Sequence, residues 1–193
     1  LIFDECTSGF RETFGGLHLK YNVIPDIAMF GKALGNGYAI TAVVGKKEFM
    51  KHANKTFVSS TFWTERIGPT AGIATLDEMK KLKAWDQIST AGKYIKKRIN
   101  KIALKNQIKI EFYGLDSLIN FKFKNKNNDL FIKFITFEML KKGFLAKNSL
   151  YVSTSHTKVL IENYLYHLSE IFTKLRNFDS KKIEEILKVG EKK

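Results

Sequence analysis

Short apolar runs alternate along this chain with longer stretches whose apolar residues recur three and four positions apart, a pattern of strands interleaved with amphipathic helices. Leu1 to Asp4 is one such run, closing on the carboxylates Asp4 and Glu5, as a buried parallel strand does when it delivers a polar group at its carboxyl end. Thr7-Ser8-Gly9 supplies turn chemistry. Gly15-Gly16 leads into Leu17 to Tyr21, a short helix stopped before Pro25 because the residue ahead of a proline avoids helical backbone. Ile27 to Phe30 returns as a second strand with Lys32 just past its end. Tyr38 to Val44 predicts a third strand closed by Gly45, then a short helix through Phe49 and Met50 and a polar loop from Lys51 to Lys55. Ile67, Ala71, Ala74, Leu76, Met79 and Leu82 predict a long helix, with Pro69 in its first turn, where a missing amide hydrogen is harmless.

The character changes near Lys83. A helix with Ile88, Ile95, Ile99 and Ile102 on a lysine-rich background precedes two strands, Lys109 to Tyr113 and Leu118 to Lys124, separated by Gly114. Leu130 to Leu140 has helical spacing, and Phe144-Leu145 and Leu150 to Val152 predict short strands. Thr157 can cap a long helix through Ile161, Leu165, Leu168 and Phe172. Asp179 to Val189 predicts a last helix that frays into Glu191-Lys192-Lys193. These elements predict two domains, an α/β part over 1–83 and a small α+β domain over 84–193.

At 193 residues and 44% hydrophobic the chain can bury a substantial core. A net charge of +14 raises a nucleic-acid reading, but 29 of the 33 cations are lysines and most fall on predicted helix faces. Base recognition favours arginine, and no zinc-finger spacing or RNA-binding aromatic motif is present, so no nucleic acid is expected as a partner. No stretch approaches the roughly 20 apolar residues that span a bilayer. Cys6 is the only cysteine, which excludes an intrachain disulfide and fits a reducing, cytoplasmic setting. His18, His52, His156 and His167 have no metal-ligand spacing with Cys or carboxylates, so no metal is expected. The start at Leu1, in mid-strand and without an initiator Met, suggests the C-terminal part of a longer polypeptide.

Asp4 and Lys32 are the candidate chemistry. Their separation of 28 residues matches a strand, a crossover and a return to a parallel neighbour, which places both side chains at one sheet edge. A lysine followed by Ala33-Leu34-Gly35-Asn36-Gly37-Tyr38 stands where an amine can meet a bound cofactor.

Three blocks extend that reading: Asp4-Glu5 through Gly9-Phe10-Arg11, Gly31-Lys32-Ala33-Leu34-Gly35-Asn36-Gly37-Tyr38, and Thr61 followed by Ala71-Gly72-Ile73-Ala74-Thr75-Leu76. In order and spacing they resemble the class III aminotransferases, pyridoxal-phosphate enzymes of fold type I, especially the branch containing glutamate-1-semialdehyde aminomutase. Gly143-Phe144-Leu145 to His156-Thr157 looks like that family's C-terminal domain. The resemblance implies that residues 1–83 are the C-terminal part of the cofactor-binding large domain and 84–193 the small α+β domain. It implies pyridoxal 5'-phosphate as cofactor, held as a Schiff base by Lys32, whose amine then moves the substrate α-proton. Asp4 would hold the pyridine nitrogen protonated, Cys6 would pack against the ring face, and Thr61 would reach the cofactor phosphate of the other subunit. Glu5 would support the site from behind, while Arg11 either binds a substrate carboxylate or braces a loop, and His156 caps or packs.

The implied function is transfer of an amino group from a small-molecule donor to a keto or aldehyde acceptor, in a homodimer with shared sites. Gly9-Phe10-Arg11 leans toward the alternative, an intramolecular aminomutase, whereas Asn36-Gly37-Tyr38 leans toward the transferases. Thr64-Glu65-Arg66 stands where many relatives have Gly-Asn-Pro, so the loop there differs. A non-catalytic remnant or basic binding protein is the third alternative, and these 193 residues alone are expected to be inactive.

Overall fold

The computed structural model describes Leu1–Gly190, so the tail Glu191-Lys192-Lys193 lies outside the described residues. The chain divides into two units, Leu1–Ser89 and Thr90–Lys193. The compositional change near Lys83 falls at the junction of two helices, six residues before that division.

The first unit is built on a three-stranded sheet in the order β1 (Ile2–Asp4), β2 (Ile27–Phe30), β3 (Ala42–Gly45). β1 and β2 are parallel, with Ile2 opposite Ile27 and Asp4 opposite Met29, so the crossover predicted from the Asp4–Lys32 spacing is present. The crossover carries a 3-10 helix, Leu17–Tyr21, rather than a full α-helix. β3 runs antiparallel to β2. Ala28, Phe30 and Leu34 are buried, and Phe3, Phe10, Ile40, Ala42 and Leu76 pack around them.

Two expectations in this unit are corrected. Tyr38 to Thr41 is not strand, because Asn36 and Gly37 take left-handed φ values of 47° and 108° and carry the turn onward. Ile40 seats against Gly68 and Gly72 of α2 (Ile67–Leu82) instead of joining the ladder. Lys51 to Lys55 forms a 3-10 helix after α1 (Lys47–Met50) rather than an open loop. α2 itself follows the apolar spacing, with Pro69 in its first turn.

The second unit has an antiparallel sheet in the order β4 (Ile110–Tyr113), β5 (Leu118–Phe123), β6 (Ser149–Tyr151). α3 (Ala84–Lys105) leads into it, and α4 (Asn128–Leu140), α5 (Lys158–Asn177) and α6 (Ser180–Gly190) supply further helices. Ile95, Ile99, Phe121, Phe134, Leu168 and Phe172 are buried to 2% exposure or less, which is why their three- and four-residue or alternating spacing was legible. Thr157 caps α5, its hydroxyl accepting from the Leu160 amide at 3.3 Å. Phe144-Leu145 is not a strand: the Phe144 ring packs against Tyr164 and His167, while Leu145 is 96% exposed. No described helix is long and apolar enough to cross a membrane.

Candidate active site

The carboxyl ends of β1 and β2 put Asp4, Cys6, Thr7 and Lys32 together. Asp4 is exposed at the end of β1, and its Oδ1 accepts the Cys6 amide at 3.0 Å. That backbone bond first, then the Cys6 side chain and the nearby Lys32 charge, hold its carboxyl below the usual carboxylate range against partial desolvation. Asp4 is therefore a fixed anion. The Cys6 thiol is pushed up, by desolvation first and then by Asp4, so it is a thiol and not a thiolate nucleophile. A Cβ placed on Gly31 would lie 3.5 Å from Cys6 Sγ and 3.4 Å from Thr41 Cγ2, so Cys6 faces the backbone that leads into Lys32.

Lys32 begins a 3-10 turn, Lys32–Leu34, with φ of 44° in the left-handed region that non-glycine residues seldom occupy. Its side chain is exposed and its Nζ donates to Thr7 Oγ1. Glu5 points the other way, at 2% exposure. Its Oε1 accepts the His18 amide at 3.0 Å and lies 3.0 Å from His18 Nδ1, and Ser8 Oγ donates to Oε2. Burial raises its pKa, but the Ser8 hydroxyl and the Leu17 and His18 amides outweigh it and leave the carboxyl below its usual value. Adjacent acids thus do different work: Asp4 faces solvent at the strand end, and Glu5 fastens the crossover loop.

Thr61 lies in an exposed turn ahead of α2, and among the described residues no hydrogen bond joins it to Asp4, Cys6 or Lys32. The Arg11 carbonyl accepts from Ser89 Oγ at 3.4 Å. In the second unit His156 Nδ1 accepts the Ser153 amide at 2.9 Å, closing the turn before α5. Sequence reasoning treated Thr7 and His18 as ordinary residues. The available signal was their position: Thr7 lies in the turn that directly follows the acid pair, and His18 lies in the first turn of the 3-10 helix after Gly15-Gly16.

The family model "Aminotransferase class-III" matches residues 1–162. This chain belongs to the class-III aminotransferase family. Among curated members, the 3-aminobutyryl-CoA aminotransferase of Cloacimonas acidaminovorans is 36% identical over 137 residues, covering 70% of this chain and 33% of that protein. Glutamate-1-semialdehyde 2,1-aminomutase of Saccharolobus islandicus is 30% identical over 192 residues, covering 91% of this chain and 44% of that protein. The class-III chain thus spans less than half the length of these relatives. Among solved structures, FumI of Sphingopyxis sp. MTA144, determined in its PLP internal aldimine form, superimposes with a TM-score of 0.84 at 21% identity, over 91% of this chain and 43% of that one. A transaminase with PLP bound gives 0.83 at 20% identity, over 92% and 44%. The fold is accordingly α/β, that of the fold type I transferases.

Proposed function

We propose that the polypeptide carrying this chain is a pyridoxal-phosphate-dependent aminotransferase, which moves an amino group from a small donor to a keto or aldehyde acceptor. One observation carries the reading: Asp4 and Lys32 leave neighbouring parallel strands at the same edge, the acid held ionised and its charge sensing the amine. The donor set fits the cofactor. An amine suits its aldehyde, an ionised carboxylate suits a protonated pyridine nitrogen, and Cys6, a small soft side chain beside Gly31, suits contact with a ring face.

When bound, pyridoxal phosphate supplies an electron sink that allows a bond at the substrate α-carbon to break. Lys32 would hold the cofactor through its amine and, once that amine is free, would receive and return the substrate α-proton at Nζ. Asp4 would hold the ring nitrogen of that cofactor protonated through a charge-assisted hydrogen bond. Glu5 holds the loop through His18 and Ser8 so that Asp4 and Thr7 keep their places. Thr61 would reach the cofactor phosphate of the partner subunit in a homodimer, an arrangement that would give an exposed hydroxyl before α2 a role. The setting is cytoplasmic.

A second reading is intramolecular amino transfer. The aminomutase of Saccharolobus islandicus matches a longer stretch of this chain, 91% against 70% for the aminobutyryl-CoA aminotransferase, and Gly9-Phe10-Arg11 supports it. The visible spectrum of the full-length protein, recorded as candidate amines are added one at a time, tests the proposal. A donor-dependent spectral change with release of a carbonyl product supports transfer. No change with any amine, from protein saturated with cofactor, overturns it.

A further inference from the structure

We propose that Thr7 is the positioning residue of Lys32: its hydroxyl oxygen takes one N–H of the amine and sets the direction of the remaining reactive position. This deepens the aminotransferase reading and rests on it.

The lysine stem is long and free to rotate, so an exposed amine ordinarily samples many positions. Here both ends are held. The left-handed backbone at Lys32 sets where the stem leaves the chain, and Nζ donates to Thr7 Oγ1 at the tip. Thr7 is itself fixed from both sides. The preceding residue, Cys6, gives its amide to Asp4 Oδ1, and the following residue, Ser8, gives its hydroxyl to Glu5 Oε2. The Gly9 amide closes the same turn on the Glu5 carbonyl at 2.8 Å. The acid pair therefore places Thr7, and Thr7 places the amine.

A hydroxyl oxygen can accept an N–H from the amine in either charge state. It fixes rotation about the last C–N bond and leaves the lone pair of the neutral amine directed away from the loop, where a substrate proton is to be received. Orientation of this kind is worth much in a proton transfer, since misplacement by about 1 Å can cost about 10²-fold. The amine donates to Thr7 Oγ1, while Asp4 Oδ1 accepts the Cys6 amide.

The test uses the full-length protein as wild type, Thr7→Val and Thr7→Ser. Valine keeps the shape and removes the acceptor; serine keeps the acceptor. The first readout needs no turnover: trace acetic anhydride labels the amines of cofactor-free protein, and mass spectrometry compares Lys32 with the other lysines. Thr7→Val should change the Lys32 labelling rate at least about threefold with other lysines unaltered, and Thr7→Ser should match wild type. The second readout is kinetic, with kcat for Thr7→Val down about 10- to 100-fold at nearly constant KM and full cofactor stoichiometry, and Thr7→Ser restored. Unchanged Lys32 labelling in Thr7→Val overturns the proposal. So does loss of kcat that serine fails to restore, or loss accompanied by release of cofactor, either of which marks a merely structural role. Failure of the parent reading is visible separately, as reductive labelling of wild-type protein at a lysine other than Lys32.

Discussion

Replacing Glu5 by Ala removes the acceptor on which the crossover loop closes. At 2% exposure the carboxylate accepts the His18 amide at 3.0 Å, lies 3.0 Å from His18 Nδ1 and takes the Ser8 hydroxyl. Hydrogen bonds to charged groups contribute about 1.5–3 kcal/mol each, and the Ser8 hydroxyl can turn to another acceptor. Counting the amide and ring bonds at the low end gives about 3 kcal/mol, a factor of about 10² in the opening equilibrium of the loop. Glu5→Gln keeps one oxygen for the His18 amide and should cost about 1–1.5 kcal/mol, about tenfold. Native-state hydrogen exchange of the peptide spanning residues 5–20, in the full-length protein, reads both numbers. Because the folded carboxyl lies below its ordinary value of 4.5, its ionised form stabilises the fold fully above that pH. The advantage of wild type over Glu5→Gln should therefore shrink as pH falls below about 4.5 and through the lower folded value. An alanine variant whose peptide exchanges within about threefold of wild type would refute the anchoring role.

Asp4→Asn should retain cofactor binding better than turnover, since an amide still makes a hydrogen bond but does not keep a ring nitrogen protonated; equal activity would count against the electron-sink support. Mixed dimers of Lys32→Ala and Thr61→Ala chains should regain activity above either parent, because each variant damages a different half of a shared site; heterodimers that form without recovery would remove Thr61 from the site. Gly92→Ala should destabilise the second unit by about 1–3 kcal/mol despite alanine's better helix propensity, because the new Cβ would lie 1.8 Å from the Asp116 carbonyl oxygen. A raised urea midpoint for that variant would contradict the close packing of α3 on the β4–β5 turn.

The parallel pairing of β1 with β2 could be read from the sequence because two apolar runs, a crossover of fixed length and polar residues at both strand ends leave little choice of topology. The long helices were legible for a related reason: buried positions such as Ile95, Ile99 and Phe172 recur at the helical period. Tyr38 to Thr41 misled because apolar composition alone does not report backbone direction, and the left-handed Asn36 and Gly37 decide it. Phe144-Leu145 misled in the opposite sense, one residue being packed by aromatic neighbours and the next exposed, an alternation too short to specify a strand. Within the site, residue type and spacing pointed to Asp4 and Lys32. Thr7 did not declare itself, because a threonine in a Thr-Ser-Gly turn has an adequate local role, and only the third dimension brings its hydroxyl to Nζ.

The central claim is that Lys32 is the residue that binds pyridoxal phosphate. Borohydride reduction of the full-length protein loaded with cofactor, followed by proteolysis and peptide mass spectrometry, tests it most directly. The account predicts one pyridoxyl adduct per chain, on the peptide containing Gly31-Lys32-Ala33, and its loss in Lys32→Ala. An adduct on any other lysine, or none from saturated full-length protein, would contradict it.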